Sequence, residues 1–465
     1  MNIKNIHNAY FIGIGGIGMS ALARWFHHNG INVYGYDKTS TDLTNKLNEE
    51  GIYIHFNDEV EAIPEFVLES STKNIVVYTP AIPKDHIGFN FLKEKGIEML
   101  KRSEVLGLLT EGMFTVAVAG THGKTTTSSM VAHLLKSGNK DIAGFLGGIT
   151  TNYGTNMVMN EKDYKKAIIV VEADEYDRSF LTLKPNIAIV TSTDADHLDI
   201  YGQIGELKKS FSLFLEKVNP NGDIYIKDGL WDEIANKKIK AKPQSYGINA
   251  GDIRALNVQA KNAKFVFDVA FRNNTIEGFE LSVPGFHNVE NAVAAIAVAY
   301  QLGIKPELIQ KGIKSYKGVK RRFEYIIQRE NFVFIDDYAH HPSEIRAMLT
   351  SVRSLYPGKK VSVLFQPHLF SRTRDFASEF SQSLSLADEV ILLDIYPARE
   401  LPIEGVNSNM LLESIQANEK IKIEKEKAIE YLQNKDFEVF ITMGAGNIDQ
   451  LVQPLKNIFE KQYAA

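Results

Sequence analysis

The chain contains no cysteine. That excludes disulfides, thiol nucleophiles and thiolate metal sites, and it fits a reducing compartment. A strong net charge is also missing: 52 Lys and Arg stand against 57 Asp and Glu, a formal net of −5. No basic field draws the protein to nucleic acid or anionic lipid, so neither partner is expected. Long apolar runs are absent. None reaches the roughly 20 residues that a membrane-spanning helix requires, and Met1–Tyr10 is too polar for a signal-peptide core. A cytoplasmic protein without stable membrane insertion is expected. Low-complexity tracts and short-period repeats are lacking too, which removes disordered arrays and solenoids. What is there is 465 residues, 44% hydrophobic and 23% charged. That is ordinary globular composition, with length for about three domains. Monomer and homodimer are both compatible with it.

Strand patterns alternate with helical ones from the start, which predicts an α/β protein with parallel sheets. Ala9–Ile14 reads as a strand, followed by a glycine-rich turn, a helix over Met19–Asn29 and a second strand over Ile31–Tyr36. A new unit opens with strand Phe114–Ala119 and a helix through Lys136, with further apolar strands at Ala167–Val171 and Ile187–Thr191. Asp223–Val283 changes to apolar–polar alternation with an Asn273–Asn274 turn, which predicts antiparallel strands added to the sheet. A third unit after Gly318 has strands at Phe332–Asp336, Val361–Phe365, Glu389–Asp394 and Glu438–Thr442, with helices over Ser343–Tyr356 and Arg374–Leu386. The expected domains are 1–107, 108–320 and 321–465.

Two glycine loops carry the chemistry. In the first, Gly13, Gly15, Gly16 and Gly18 follow a strand and open a helix, and Asp37 ends the second strand. This is the dinucleotide fingerprint in context. Its physical content is narrower than one cofactor. Glycines let backbone amides approach a pyrophosphate at a helix N-terminus, and any nucleotide diphosphate satisfies that. In the second, Gly120-Thr121-His122-Gly123-Lys124-Thr125-Thr126 joins a buried strand to a helix. A phosphate loop requires amides around the anion, a lysine for the β and γ oxygens and a hydroxyl for Mg²⁺. The full pattern would place a further glycine at Val118, so this is a GxxGKTT variant. Glu172 and His197 each follow an apolar strand, at the edge where parallel sheets bind ligands. With Thr125 they are candidate Mg²⁺ ligands. Two nucleotide-type sites in one chain point to ATP activating something held by the other domain.

The ordered motifs then carry a resemblance that covers essentially the whole chain. They are Gly13 to Ser20, Gly120 to Thr127, Glu172 to Glu175, Asp196-His197 with Asp199, Pro284 to Asn291, Arg321 to Phe323, Asp336 to Pro342, and Gln366 to His368 with Ser371 to Arg374. By these the chain resembles the Mur ligase family, most closely the branch that adds L-alanine. The resemblance implies a Rossmann-like domain for the UDP-sugar, a central P-loop-type ATPase domain with added antiparallel strands, and a Rossmann-like C-terminal domain. It implies that ATP phosphorylates the lactyl carboxylate of UDP-N-acetylmuramate and that the amine of L-alanine attacks the acyl phosphate, in peptidoglycan precursor synthesis. Carried residue by residue, it assigns Gly13, Gly15, Gly16, Gly18, Met19, Ser20 and Asp37 to the UDP-sugar. Gly120 through Thr126, His287, Asn288, Asn291, Arg322 and Asp337 go to ATP. Tyr338, His340 and Arg372 go to the amino acid. Lys124, Glu172, His197 and Arg322 are the expected catalytic groups, and Thr125, Glu172 and His197 the metal ligands.

Some positions depart from the family pattern. Tyr176 and Arg178 stand where many L-alanine-adding relatives have serine and a small residue, and Leu369 where arginine is common. The place of a carbamylated lysine falls near Ser212, so carbamylation is not expected despite Lys208 and Lys209. A recycling ligase that attaches a preformed peptide to the same sugar is the nearest alternative. A dinucleotide-dependent dehydrogenase leaves the second loop unexplained.

Overall fold

The computed structural model describes residues 5–69, 71–160, 166–195, 198–261, 264–398 and 400–464. Among these residues there are three sheets, and the chain divides into two compact units. Met1–Leu256, Val269–Ile276 and Asn291–Ile313 form the first, and Asn257–Asp268, Glu277–Glu290 and Lys314–Ala465 the second.

The first sheet comprises β1 (Asn8–Ile12), β2 (Asn32–Tyr36), β3 (Tyr53–His55), β4 (Asn74–Tyr78) and β5 (Met99–Lys101), in the order β3-β2-β1-β4-β5, all parallel. The period of two sends Ala9 and Phe11 into one core and Tyr10 and Ile12 into another. Helix α1 (Ile17–His28) covers the first of these faces with Leu22, Trp25 and Phe26. The strand order reverses between β1 and β4, and the glycine loop leaves β1 at that switch point.

The second sheet holds β6 (Thr115–Ala119), β7 (Ile142–Phe145), β8 (Met157–Met159), β9 (Ile168–Ala173), β10 (Ile187–Val190), β11 (Asp223–Lys227), β12 (Lys242–Ile248), β13 (Ile253–Lys261), β14 (Lys264–Ala270) and β15 (Thr275–Leu281). Their order is β15-β14-β13-β12-β11-β10-β6-β9-β7-β8. Every residue of β6 and of β10 is buried, as expected of central parallel strands covered on both faces. The expected change at Asp223 comes later than the alternation suggested. β11 and β12 continue the parallel sheet from β10, and β13 starts parallel to β12. Alternation reports how the two faces are covered and carries no information on strand direction: β12, exposed at its start and buried near its end, lies between β11 and β13 in a parallel run. The Asn273–Asn274 turn is present, closed by Phe271 N donating to Asn274 O at 2.7 Å. Within the first unit the first two sheets share one core, in which Trp25 of α1 meets Phe145 of β7 at 6.4 Å between rings.

In the second unit, β16 (Glu324–Gln328), β17 (Val333–Asp337), β18 (Val361–Phe365), β19 (Glu389–Leu392), β20 (Glu419–Lys422) and β21 (Val439–Met443) are ordered β16-β17-β21-β18-β19-β20. Among the described residues of this sheet, β16 alone runs antiparallel, against β17. The helix expected over Arg374–Leu386 is two, Phe370–Asp375 and Ala377–Leu384. The break is at Phe376 (φ −118°), whose ring packs against that of His341 at 5.0 Å.

Candidate active site

The second glycine loop leaves β6 and enters the helix Lys124–Ser137. Gly120 (φ +136°) and Gly123 (φ +81°) lie in left-handed backbone that L side chains rarely adopt. A methyl on Gly120 would come within 2.1 Å of Thr191 Oγ1, and one on Gly123 within 2.9 Å of Asn291 Oδ1. The end of β10 buttresses the loop. Ser192 Oγ accepts the His122 amide at 2.7 Å and lies 2.9 Å from Thr121 Oγ1, while Thr191 Oγ1 donates to His122 O. His122 Nε2 stands 3.7 Å from Asp194.

Lys124 Nζ donates to Gly120 O at 2.7 Å and to Glu175 Oε1 at 2.8 Å. The Glu175 side chain is fully buried. Burial opposes the Lys124 charge, but Glu175, Asp174 and Glu172 outweigh it and hold the ammonium above its ordinary value. Burial pushes Glu175 upward against the pull of Lys124. Thr125 Oγ1 donates to Glu172 Oε1 at 3.1 Å, and Glu172 Oε2 accepts the Gly147 amide at 3.0 Å. A hydroxyl and a carboxylate thus converge beside the loop, the hard-oxygen donor set that Mg²⁺ prefers. His197, the third expected metal ligand, lies outside the described residues. The structure therefore brings Gly120 through Thr126, Glu172 and Asn291 together.

The first glycine loop differs. Gly13 is left-handed (φ +84°), and methyls on Gly15 and Gly18 would meet Asp37 Oδ2 at 2.8 Å and Arg102 Nη1 at 2.5 Å. Asp37 accepts the Gly15 amide at 2.8 Å and the Thr39 amide at 3.3 Å. Met19 and Ser20 sit buried in the first turn of α1, where Ser20 Oγ donates to Ile17 O at 2.9 Å.

The remaining expected residues sit on the second unit. Asn288 Nδ2 donates to Pro284 O at 2.7 Å, and the His287 ring packs against Gly285 (φ +121°). The Arg322 guanidinium lies 4.9 Å over the Tyr338 ring and 3.7 Å from Glu344. Asp337 accepts the amides of Phe323 at 2.7 Å and Ala339 at 2.8 Å. Burial raises Asp336 and Asp337 to about 6 each, with Arg321 and Arg322 respectively pulling the other way. His340 Nδ1 is 3.2 Å from Glu344, and its ring lies 5.9 Å from that of His368. Arg372 is buried, its Nη1 3.4 Å from His368 Nδ1. Arg374, from the same motif, is half-exposed and pairs with Asp375. Sequence reading gave no role to Glu175, Ser192 or Glu344. Glu175 was visible in the Glu172–Glu175 motif, whereas Ser192 and Glu344 carried no signal.

A GKT loop between a buried parallel strand and a helix, with its lysine on a buried acid and its threonine on a second carboxylate, defines a phosphate-loop nucleotide-binding protein. Three family models match in order: "Mur ligase family, catalytic domain" over residues 8–113, "Mur ligase middle domain" over 118–299 and "Mur ligase, glutamate ligase domain" over 321–446. The chain is 46% identical to the UDP-N-acetylmuramate–L-alanine ligase of Cytophaga hutchinsonii over 463 residues, covering 100% of this chain and 99% of that one. It is 47% identical to the enzyme of the same name from Christiangramia forsetii, covering 98% of each. Among solved structures, the UDP-N-acetylmuramate–alanine ligase of Thermotoga maritima superimposes with a TM-score of 0.81 at 28% identity, over 98% of this chain and 99% of that one. A murein peptide ligase from Psychrobacter arcticus shares the fold, with a TM-score of 0.69 at 22% identity, over 97% and 98%. The chain belongs to the Mur ligase family, whose members are ATP-dependent amide-forming ligases.

Proposed function

We propose that this chain joins L-alanine to the lactyl carboxylate of UDP-N-acetylmuramate at the expense of ATP, in peptidoglycan precursor synthesis and hence in cell shape and division. The observation that carries the reading is the phosphate loop with Lys124 on Glu175 and Thr125 on Glu172, in a chain matched end to end by L-alanine ligases. In the first step a lactyl carboxylate oxygen attacks the γ-phosphorus. The bond to the β,γ-bridging oxygen breaks, leaving ADP and an acyl phosphate. In the second, the neutral amine attacks the acyl carbon, phosphate departs and the amine proton is lost. Two anions must meet in the first step, so charge neutralisation and alignment dominate. Lys124 grips the β and γ oxygens. Thr125, Glu172 and His197 would hold Mg²⁺, which when bound neutralises phosphate charge.

The Gly13–Gly18 loop takes the UDP pyrophosphate. The orientation of Asp37 supports this over a dinucleotide cofactor: the carboxylate that such a fold turns to a ribose hydroxyl accepts the Gly15 amide instead. His287, Asn288, Asn291, Arg322 and Asp337 are assigned to the nucleotide, and Tyr338, His340 and Arg372 to the amino acid. For Arg372 the physical support is its fork, which matches a carboxylate. The domain limits proposed are 1–107, 108–320 and 321–465, in a cytoplasmic monomer or homodimer. Among the described residues no helix is long and apolar enough to cross a membrane.

Product analysis tests the reading. With UDP-N-acetylmuramate, ATP and Mg²⁺, L-alanine should give amide and ADP in equal amounts, ahead of any other amino acid. ADP without amide would overturn it, and preference for a preformed peptide over L-alanine would favour a recycling ligase.

A further inference from the structure

The β7–β8 hairpin touches both glycine loops' supports within the first unit. It is a closed turn: Leu146 N donates to Asn156 O at 3.0 Å, and Thr150 N to Thr155 O at 2.9 Å. At one end the Gly147 amide holds Glu172, whose other oxygen takes Thr125 of the ATP loop. At the other end Asn156 is fully buried. Its Nδ2 donates to Ile17 O and, at 3.0 Å, to Ser20 Oγ, both in the first turn of α1. Its Oδ1 accepts Arg24 Nη1 at 2.6 Å. Arg24 grips Glu50 with Nε at 2.6 Å and Nη2 at 2.8 Å, a two-point contact that fixes the guanidinium plane. A continuous chain of hydrogen bonds and ten residues of backbone therefore runs from the ATP loop to the helix that opens from the first loop.

We propose that Asn156, held by Arg24, is a positioning residue for phosphoryl transfer. It sets the separation and angle of the two loops, and so whether a carboxylate anchored through its pyrophosphate at the first reaches the γ-phosphate held at the second. The inference rests on the function proposed above. Without Asn156, Ser20 Oγ keeps its bond to Ile17 O and Glu172 keeps the Gly147 amide, so each loop retains a support of its own and binding of either substrate alone should change little. Alignment does, and a displacement of about 1 Å can lower turnover roughly 100-fold. Asn156 also uses both amide donors and its oxygen, so an isosteric leucine leaves the Arg24 donor without its partner.

The test is Asn156→Leu, with Arg24→Met as a second variant in case the first folds poorly. Calorimetric titration gives the stoichiometry and Kd of UDP-N-acetylmuramate and, separately, of a non-hydrolysable ATP analogue with Mg²⁺. Steady-state assays give kcat and the ratio of ADP to amide. The expected result is stoichiometry near one, both Kd values within about two-fold of wild type, kcat lower by about 100-fold, and ADP with inorganic phosphate formed in excess of amide, water taking the phosphoryl group that the displaced carboxylate misses. A merely structural role would lower the stoichiometry and leave the ADP-to-amide ratio at one. That result in both variants, or a kcat within three-fold of wild type, or a raised Kd with unchanged kcat, would overturn the proposal. Failure of the wild type to bind either ligand would instead bring down the function on which it rests.

Discussion

The two glycine loops of the first unit use one backbone device with opposite side-chain charge. Both leave a buried parallel strand, both need left-handed glycine and both open a helix. In the first, a carboxylate, Asp37, is bonded to the loop amide of Gly15. In the second, an ammonium, Lys124, lies across the loop and is bonded to Gly120 O, with Glu175 behind it. A third glycine turn, Gly444 (φ +148°) to Gly446 after β21, is packed against a protein side chain. Methyls on Gly444 and Gly446 would meet Gln366 O at 2.8 Å and Gln366 Oε1 at 2.4 Å, and Gln366 itself accepts the Ile448 amide at 3.0 Å. Glycines after a strand therefore specify a turn in which backbone amides are accessible. The side chain that reaches the turn decides whether it is filled by the protein, limited by an acid or armed with a cation for phosphate.

The comparison is open to attack at each loop. The largest effect is expected from Lys124→Ala, which removes the cation of the second loop. Ligation should fall about 1000-fold or more, near the top of the range for removing one transition-state donor. Titration with UDP-N-acetylmuramate should give an unchanged Kd. A variant that keeps near-normal turnover would take ATP chemistry away from this loop. A smaller effect is expected from Gly15→Ala, whose methyl would press on Asp37 Oδ2 and Thr44 Cγ2 at 2.8 Å each. The KM for UDP-N-acetylmuramate should rise about ten-fold, a cost of about 1.4 kcal/mol in apparent binding. The KM for ATP should hold, and the reverse pattern would mean that the loops have been assigned the wrong way round.

The smallest effect concerns pH. Glu175 is the strongest influence keeping the Lys124 ammonium above its ordinary value against burial. In Glu175→Gln that support is lost, so the lysine gives up its proton at lower pH than in the wild type. The charged form binds phosphate, so kcat/KM for ATP in the variant should decline a few-fold between pH 8 and 10 while the wild type stays level. Parallel profiles would show that Glu175 serves packing and leaves the charge state of Lys124 alone.

Local order left a clear trace in the chain. Strand, glycine turn and helix at Ile12–Ile17 and at Ala119–Lys124 are contiguous in sequence, so periodicity and turn residues reveal them directly. His341 stands just before the helix Pro342–Leu355, where its ring accepts the Ser343 amide. Glu175 was in plain view three residues after Glu172, yet nothing in the spacing said which acid meets lysine and which meets threonine. Ser192 and Asn156 left no trace. Their partners lie 70 and 136 residues away, His122 and Ser20 respectively, and both are unremarkable polar residues until the sheets pack.

The sequence by itself determined most of the elements, the α/β class, the two glycine turns between strand and helix and, through its ordered motifs, the family. These depend on residue type and spacing within a few turns of chain, where sterics and hydrophobic period act directly. Only the tertiary structure decided that Asp37 faces the Gly15 amide, that Lys124 rests on a fully buried Glu175, that Gln366 closes the third turn, and that Arg24 and Asn156 tie α1 to the β7–β8 hairpin. Each is a polar pairing between distant segments. A buried polar atom must find a partner, but the partner it finds is set by which segments the packed sheets bring within hydrogen-bond reach.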